Sequence, residues 1–435
     1  MNHHGGVEVR NSTGRGGYTI LWERSHGPLR YIDKMNPTRR RLARFVAPCM
    51  LVALMAPTLP AQLGTALGAD ATSVDEFVTR ALQPFWRTRE MREPLFLIQA
   101  KPETPPSARL LFRPNRIISV TSATRETVYE AGKDYDMDLE AGVLSLPEGS
   151  RIPFKTLDQL YPLMTSDEPK IRRQQGDATR GVFFDNEAGY HKLQIEVTYR
   201  CAPNQWQGYE PKFAGNLLSR TVSKLRDKQP IRLVLSGDSI SAGYNASSFT
   251  KVSPGCPSYG ELVGLALTKH YGSRVDFINH AVSGWTSAQG LEHAVEQQFG
   301  KHKPDLVILA YGMNDVFARD AATFQKNIKG IIDTIRARSP GTEFVLVSSM
   351  LGNAEWGMPM EQFSLYHDAL QELCGQGVVL ADLTAIWREM LRRKSFYDLT
   401  GNGVNHPNDF GHCVYAQTIV SLLVPPKSDG ARTPK

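Results

Sequence analysis

The second half of the chain alternates between apolar runs and segments of helical periodicity. The runs lack polar alternation, as is typical of strands that are buried on both faces. The predicted strands are IRLVLS, VDFINHAV, DLVILAYG, EFVLVSSM and VVLADL, and the predicted helices span 258–271, 287–302, 321–338, 361–376 and 408–423. Alternation of this kind favours an α/β fold in which a parallel sheet lies between two layers of helices.

The pattern is different between residues 108 and 201. Short β-rich runs are separated there by Gly, Pro and Asn or Asp turns, and these runs are RIISVTSA, TVYEAG, GVLSLPEG and KLQIEVTYR. Their spacing predicts a small, antiparallel β-sandwich. A length of 435 residues also favours more than one domain. We predict an N-terminal extension with a signal peptide at 1–71, a β-sandwich accessory domain at 72–205 and an α/β domain at 225–425.

A basic cluster precedes an apolar stretch near the start of the chain. Four arginines between residues 39 and 44 are followed by apolar residues 45–61 and then by small residues, which is the layout of a secretory signal peptide. The stretch is short and contains three prolines, which argues against a stable membrane span. We expect the signal to begin at Met35 and the protein to be secreted or periplasmic.

The net charge outside the N-terminal segment and the spacing of the cysteines limit the partners and ligands that we expect this chain to bind. Residues 1–70 account for +5 of the net charge of +6, so the rest is nearly neutral and nucleic acid is not an expected partner. No Cys or His spacing suggests zinc, and we predict neither a metal nor a cofactor. Cys49 lies in the predicted signal. The other four cysteines permit three full pairings, among which the sequence does not choose: Cys201, Cys256, Cys374 and Cys413.

Candidate chemical groups follow the predicted strands. In open α/β sheets, ligands bind at the carboxyl ends of the strands. Ser239 follows the first strand in "SGDSISAGYN", Gly284 follows the second in "NHAVSGWTS", and Asn314 follows the third in "YGMND". His406 stands in "NGVNHPNDFGH", just before the last helix. The topology therefore predicts that all four lie at one edge of the sheet.

These blocks, in this order, resemble the SGNH/GDSL hydrolase family over residues 231–423. The resemblance implies that Ser239 is a nucleophile and that His406 is its general base. It also implies an oxyanion hole made by the backbone N–H groups of Ser239 and Gly284 and by the side-chain amide of Asn314. A sandwich in front of such a domain is similar to the architecture of some carbohydrate esterases.

The chemistry suits these residue types. A serine hydroxyl becomes a good nucleophile only when a base removes its proton, and histidine titrates near the working pH. Ser236 lies at the strand end and Ser241 is expected to be a turn or helix-entry residue, while Asp238 is expected to brace the loop. Four further side chains flank the motifs and are candidates either for a substrate pocket or for the core: Tyr244, Trp285, Met313 and Trp356.

One position departs from the family pattern. The family usually carries an Asp three residues before the His, and this chain has Gly403 there. Asp398 is the nearest acid upstream and would have to fold back. Alternatively, the Gly403 carbonyl accepts the His406 Nδ1–H and completes a Ser–His dyad. Either would hold the tautomer that a base requires, and we favour the dyad.

The function that these features predict is that of a secreted serine esterase acting through an acyl-enzyme. The expected substrate is a polysaccharide or small-molecule ester from which an acetyl group is removed. The alternatives are a lipase, lysophospholipase or thioesterase of the same family, and a non-catalytic, glycan-binding relative. Metal-assisted phosphoester hydrolysis is disfavoured, because the sequence lacks an upstream set of Asp and His ligands.

Overall fold

The structure is a computed structural model that describes residues 71–173, 176–296 and 299–426. The predicted signal peptide, its start at Met35 and Cys49 all lie outside the described residues. The described chain begins with helix α1 (Ala71–Ala81) and continues into a sheet-rich region, residues 90–201, before the α/β domain.

The described residues of the sheet-rich region form ten short strands, most of them paired antiparallel. They are β1 (Glu90–Phe96), β2 (Ile98–Gln99), β3 (Ser107–Arg109), β4 (Pro114–Ser122), β5 (Asp136–Asp138), β6 (Val143–Ser145), β7 (Lys155–Thr156), β8 (Lys170–Arg172), β9 (Gly181–Phe183) and β10 (Gln194–Cys201). They form three sheets with the orders β1-β10-β4, β5-β6-β3-β2-β7 and β8-β9. β2 and β7 are the parallel pair among them.

A parallel sheet of five strands organises the rest of the chain. Its strands are β11 (Ile231–Gly237), β12 (Val275–Asn279), β13 (Leu306–Ala310), β14 (Glu343–Ser348) and β15 (Val378–Asp382), in the order β12-β11-β13-β14-β15. β13, β14 and β15 are buried at every position, as runs of Leu, Val and Ile without polar alternation require. Gly237 lies opposite Ala310, so β11 and β13 end side by side.

Helices cover this sheet in two groups. The described helices are α1 (Ala71–Ala81), α2 (Leu157–Leu160), α3 (Gly189–Leu193), α4 (Ser219–Arg226), α5 (Tyr259–Tyr271), α6 (Ser287–Glu296), α7 (Ala321–Arg338), α8 (Gln362–Gln371), α9 (Leu383–Met390), α10 (Phe396–Leu399) and α11 (Asp409–Leu423). α6, α7 and α8 pack in series, while α5 packs against α1, α4 and α11. The fold is therefore the predicted α/β fold with a parallel sheet between helices.

Some predicted elements differ from those observed. The predicted helix 287–302 ends at Glu296, and a 3-10 turn spans Phe299–His302. The predicted strand TVYEAG makes only isolated bridges, such as Thr121 to Val128. β1 was not predicted, because its sequence EMREPLF mixes charged residues with a proline. Helix α9 was also missed, although Asp382 caps its first turn by accepting from the Ala385 N–H.

The sheet-rich region and the α/β domain share a core. All described residues fall within one compact unit, and a cluster of aromatic side chains joins Phe96, Phe183 and Tyr190 to Tyr397. Gln194 of β10 donates to the carbonyl oxygens of Tyr397 and Thr400, each at 2.9 Å. The boundaries of the two predicted domains, 72–205 and 225–425, stay predictions.

Three further features concern the predicted environment and ligands. Among the described helices, none combines the length and apolar character needed to cross a bilayer. In the described ranges, no three His, Cys, Asp or Glu side chains are grouped so as to hold a metal ion. The four cysteines of the described chain are free thiols: Cys201, Cys256, Cys374 and Cys413.

Candidate active site

The predicted site lies where the strand order of the parallel sheet reverses. β12 flanks β11 on one side and β13 flanks it on the other, so the loops that follow β11 and β13 border a crevice. The loop after β12 reaches the same edge, since the Val282 N–H donates to the Gly237 carbonyl oxygen at 3.1 Å. The sheet topology thus brings the loops that carry Ser239, Gly284 and Asn314 to one edge.

A tight turn presents Ser239 at the end of β11. A Cβ at residue 237 would overlap Ser241 Oγ and lie 2.6 Å from the Ala310 carbonyl oxygen, so only glycine fits there. The Asp238 carboxylate accepts from the Ile240 N–H at 3.0 Å, and the Ser239 carbonyl oxygen accepts from the Tyr244 N–H at 3.1 Å. Asp238 therefore braces the turn, as the sequence predicts.

Hydrogen bonding separates the three serines of this segment. Ser236 Oγ is bonded to the Tyr311 hydroxyl at 2.8 Å, and Ser241 Oγ to the Tyr259 hydroxyl at 2.7 Å. Ser239 Oγ instead lies 2.8 Å from His406 Nε2. Ser239 is thus the serine of the segment that meets an imidazole, which is the arrangement a nucleophile and its base require.

The loop that carries His406 is held by its own polar side chains. Asn402 Oδ1 accepts from the N–H groups of Val404, Asn405 and His406 at 2.9, 3.0 and 3.1 Å. The Thr400 hydroxyl donates to the His406 carbonyl oxygen at 2.9 Å. These bonds fix the backbone beneath the imidazole, and they explain the Gly- and Asn-rich composition of the loop.

The partner of His406 Nδ1 is neither of the two predicted alternatives. It is Asn245, whose Oδ1 lies 2.7 Å from Nδ1. Asn245 stands six residues after Ser239 and has a φ of +62°, a conformation that Asn adopts more readily than most residues. No motif marked it, because the contact joins residues 161 positions apart.

Asp398 and Gly403 are both engaged elsewhere. The Asp398 carboxylate is buried, where it accepts from the Phe96 and Ser395 N–H groups at 2.7 and 3.0 Å. The Gly403 carbonyl oxygen accepts from the side-chain amide of Asn353 at 2.7 Å. The expectation that one of these two groups orients His406 is therefore wrong, and the dyad with Gly403 is replaced by a Ser–His–Asn chain of contacts.

Burial sets the protonation of the site. It lowers the pKa of His406 to about 3, with a smaller contribution from the neighbouring His412, so the imidazole is uncharged near neutral pH. Burial also raises the pKa of Asp238 to about 7. Because this pKa lies near neutral pH, the Asp238 carboxyl group is only partly ionised there. It therefore braces the turn without supplying a full negative charge.

The other two predicted oxyanion residues occupy neighbouring loops. Gly284 is exposed and has a φ of +79°, and no atom lies within 4 Å of a Cβ built on it. The side-chain amide of Asn314 donates to the Trp285 carbonyl oxygen at 2.8 Å, which ties the two loops together. Asp315 accepts from the N–H of Ser287 at 2.8 Å, so it braces this loop. The oxyanion roles of Ser239, Gly284 and Asn314 stay predictions.

Aromatic side chains lie beside the imidazole. The Tyr244 ring centroid is 5.3 Å from that of His406 and 4.3 Å from that of Phe249, whose side chain is 42% exposed. Met313, by contrast, is a core residue with 1% exposure. Trp285 and Trp356 are half-buried, and their rings contact His293 and Phe317 at 4.8 and 5.6 Å.

Comparison with known proteins relates part of the chain to a family. Residues 235–414 match the GDSL-like lipase/acylhydrolase family. No curated protein matches the sequence. Similar solved structures include a two-domain esterase active on acetylated mannans, which is 20% identical with a TM-score of 0.40 over 50% of this chain and 55% of that one. The match thus spans about half of that esterase.

Two other solved structures are each similar to less than half of the chain. An acetyl xylan esterase is 21% identical, with a TM-score of 0.35 over 45% of this chain and 100% of that one. A lipase from a goat rumen metagenome is 16% identical, with a TM-score of 0.37 over 45% of this chain and 99% of that one. The match to the GDSL-like lipase/acylhydrolase family identifies a domain at residues 235–414, less than half of the chain, that contains Ser239, Gly284, Asn314 and His406.

Proposed function

We propose that this protein is a hydrolase, an exported serine esterase that removes acetyl groups from a carbohydrate or a small ester. One observation carries the catalytic part of the proposal. Ser239 Oγ lies 2.8 Å from His406 Nε2, and His406 Nδ1 lies 2.7 Å from Asn245 Oδ1. A hydroxyl, a neutral imidazole and a fixed acceptor are the groups that acyl transfer through serine requires.

The reaction follows from that geometry. His406 Nε2 takes the proton of Ser239 Oγ as the oxygen attacks the ester carbonyl carbon. The resulting oxyanion accepts hydrogen bonds from the backbone N–H groups of Ser239 and Gly284 and from the Asn314 amide. His406 then returns the proton to the leaving alkoxide, and the acyl group stays on Ser239. Water, deprotonated by the same imidazole, attacks the carbonyl carbon of the acyl-enzyme. The imidazolium then returns that proton to Ser239 Oγ as the bond between Oγ and the acyl carbon breaks, which releases the carboxylic acid and the free serine.

The surroundings of the two reacting side chains favour a small acyl group. Ser239 is 4% exposed and His406 is 6% exposed, which leaves little room for a bulky acyl chain at the nucleophile. Tyr244 and Phe249 lie beside the imidazole, and Phe249 faces solvent. Aromatic faces at a wet rim suit the apolar face of a sugar ring. Both features support acetylated carbohydrate as the substrate class.

Export is proposed from the basic and apolar layout that precedes residue 70. A signal beginning at Met35 would be removed on export to the periplasm or the medium. Mass spectrometry of the protein recovered from the producing cells and their medium measures this directly. A mature chain outside the cytoplasm that starts near residue 70 supports the proposal, while an intact N-terminus on a cytoplasmic protein contradicts it.

A panel of esters tests the activity. The p-nitrophenyl acetate, butyrate, octanoate and laurate esters and an acetylated polysaccharide are assayed with the wild type and with Ser239→Ala. We expect the highest kcat/KM on the acetyl substrates, and loss of at least about 10³-fold in Ser239→Ala. Hydrolysis confined to the long chains would replace this proposal with a lipase or thioesterase.

Covalent labelling separates an esterase from a binding protein. A fluorophosphonate reacts with an activated serine, so it should label the wild type and the matched control Ser241→Ala, but not Ser239→Ala. Ser241 is a suitable control because its hydroxyl is bonded to Tyr259 rather than to an imidazole. A wild type that binds glycan but takes no label would be a non-catalytic relative.

A further inference from the structure

We propose that Asn245 is the positioning residue for His406, and that the sheet-rich region fixes the orientation of its amide. The catalytic consequence rests on the proposed function. The structural part rests on contacts that join the sheet-rich region to the catalytic loop. According to this proposal, the sheet-rich region is part of the catalytic apparatus and not a separable accessory domain.

The amide of Asn245 is surrounded by acceptors on one side. Its Nδ2 lies 3.1 Å from the Asn186 carbonyl oxygen, 3.2 Å from that of Glu187 and 3.0 Å from that of Gly401. If the amide were flipped, Oδ1 would face three carbonyl oxygens without a hydrogen between them. Because that arrangement is unfavourable, Oδ1 must point towards His406.

This orientation determines the tautomer of His406. An amide oxygen only accepts hydrogen bonds, so the nitrogen that faces it, Nδ1, carries the imidazole proton. The other nitrogen, Nε2, then has a free lone pair facing the Ser239 hydroxyl. The imidazole is therefore held in the one neutral tautomer that can act as a base towards Ser239.

Two of the three carbonyls that orient Asn245 come from the segment between β9 and α3. Asp185 holds this segment in a turn by accepting from the Glu187 N–H at 2.7 Å. The side chain of Asn186 reaches the catalytic loop, where its Oδ1 accepts from the Asn402 amide at 3.3 Å. The segment is thus fixed from both sides, as a positioning element needs to be.

The same part of the sheet-rich region occupies the space next to residue 403. A Cβ at that residue would overlap the Tyr190 hydroxyl and lie 2.5 Å from the Phe183 carbonyl oxygen. The Tyr190 hydroxyl in turn donates to that carbonyl oxygen at 2.7 Å. No side chain fits at residue 403, so an acid there is sterically excluded. The region that excludes it also orients the amide that takes its place.

The substitution Asn245→Asp tests the orientation. A carboxylate has no hydrogen to offer the three carbonyl oxygens, so it should rotate away or take up a proton, although Asp is the usual partner of a catalytic His. We expect kcat to fall by at least about 10-fold while KM changes by less than about threefold. Wild-type or higher kcat in Asn245→Asp, or a loss confined to KM, would overturn the proposal.

A second variant tests the sheet-rich region without altering the site. Asp185→Ala removes the turn that holds the Glu187 backbone, and we expect a several-fold loss of kcat with KM unchanged. The matched control is Asp138→Ala, which removes a similar turn of the same region, where Asp138 accepts from the Glu140 N–H at 2.9 Å. Equal kcat values in the two variants would show that the 185–187 segment does not position the amide.

A spectroscopic measurement separates this inference from the proposed function. In ¹⁵N-histidine-labelled protein, with the His406 signals assigned from His406→Gln, we expect the Nδ1–H tautomer in the wild type and its loss in Asn245→Asp. If no ester is hydrolysed but the tautomer behaves this way, only the proposed function fails. If esters are hydrolysed but the tautomer is unchanged in the variant, only the inference fails.

Discussion

The side-chain amide of Asn314 has two hydrogens, and one of them is committed to a neighbouring loop. It bonds the Trp285 carbonyl oxygen at 2.8 Å, which fixes the direction of the amide plane. In the proposed mechanism, an oxyanion formed at Ser239 accepts a hydrogen bond from the second hydrogen. A donor fixed in advance needs no reorganisation when charge develops, so this single contact accounts for much of the expected catalytic value of Asn314.

We therefore expect Asn314→Ala to lower kcat by roughly 10²–10³-fold with a small change in KM. Asn314→Asp should do the same, since a carboxylate has no hydrogen to donate. Steady-state kinetics on the best ester substrate measures both. Asn327→Ala is the matched control, because its amide donates to Ser287 Oγ at 3.1 Å and should leave kcat within a few-fold. Wild-type kcat in both Asn314 variants would remove Asn314 from the oxyanion hole.

Three elements, α8, β15 and α9, are linked by contacts around one histidine beside β15, the last strand in the order of the parallel sheet. His367 of α8 lies 3.0 Å from Asp382 at the end of β15 and 2.9 Å from Asp368 of its own helix. Asp382 also caps α9 through the Ala385 N–H. The hydrogen bond to Asp382 is the main reason that the pKa of His367 is raised to about 9. The charged imidazole thus holds α8 against β15.

The pH dependence of stability should reveal this contact. The folded pKa lies above the unfolded value of about 6.5, so the folded protein binds more protons between those limits. The stabilisation is complete below pH 6.5 and is lost as pH rises through 9. His367→Gln should therefore reduce the free energy of unfolding at pH 6 by about 1–2 kcal/mol more than at pH 9.5, after allowance for solvent screening.

Urea unfolding at the two pH values measures the difference. Gln371→Ala, a nearby change without a titrating group on α8, provides the control, and its effect should be the same at both pH values. A His367→Gln effect that is independent of pH would show that the imidazole contributes packing but no charge.

At the scale of the whole molecule, a buried cation joins the sheet-rich region to the α/β domain. Lys394 Nζ lies 2.7 Å from Glu93 Oε2, and both side chains are completely buried. Lys394 also donates to the Pro94 and Arg109 carbonyl oxygens at 2.9 and 3.0 Å. Because the ammonium is paired and hydrogen-bonded, its burial is tolerable only while both regions stay in place.

We expect Lys394→Met to cost about 3–5 kcal/mol in the free energy of unfolding, since it leaves the Glu93 carboxylate buried without its cation. Adding Glu93→Gln should recover part of that loss. The matched control is Lys224→Met at a partly exposed ion pair with Asp305, where the cost should be below about 1 kcal/mol. Chemical denaturation of the wild type, of Lys394→Met, of the double variant and of Lys224→Met measures these free energies of unfolding. Equal costs for the two lysines would show that the two regions are not coupled through Glu93.

Particular residues show which features of the fold and of the candidate site could be predicted from the sequence. The common location of Ser239, Gly284 and Asn314 could be predicted because each follows an apolar run, and parallel strands bring the loops after them to one edge. His406 could be added because it stands just before the last helix. Their roles in catalysis stay predictions. The partner of His406 could not be predicted, and neither could β1, whose charged residues pair with a single strand, β10, far away in the chain.

Hydrophobic patterning along the chain specifies the parallel sheet, the helices around it and the edge at which the reactive groups gather, because burial acts on each segment according to its own period. The contacts of Asn245 with residues 186, 187 and 401 depend instead on how distant segments pack. An amide has no periodic or compositional signal of its own, and its direction is set by whichever carbonyl groups the folded chain brings against it. Only the tertiary structure decides that.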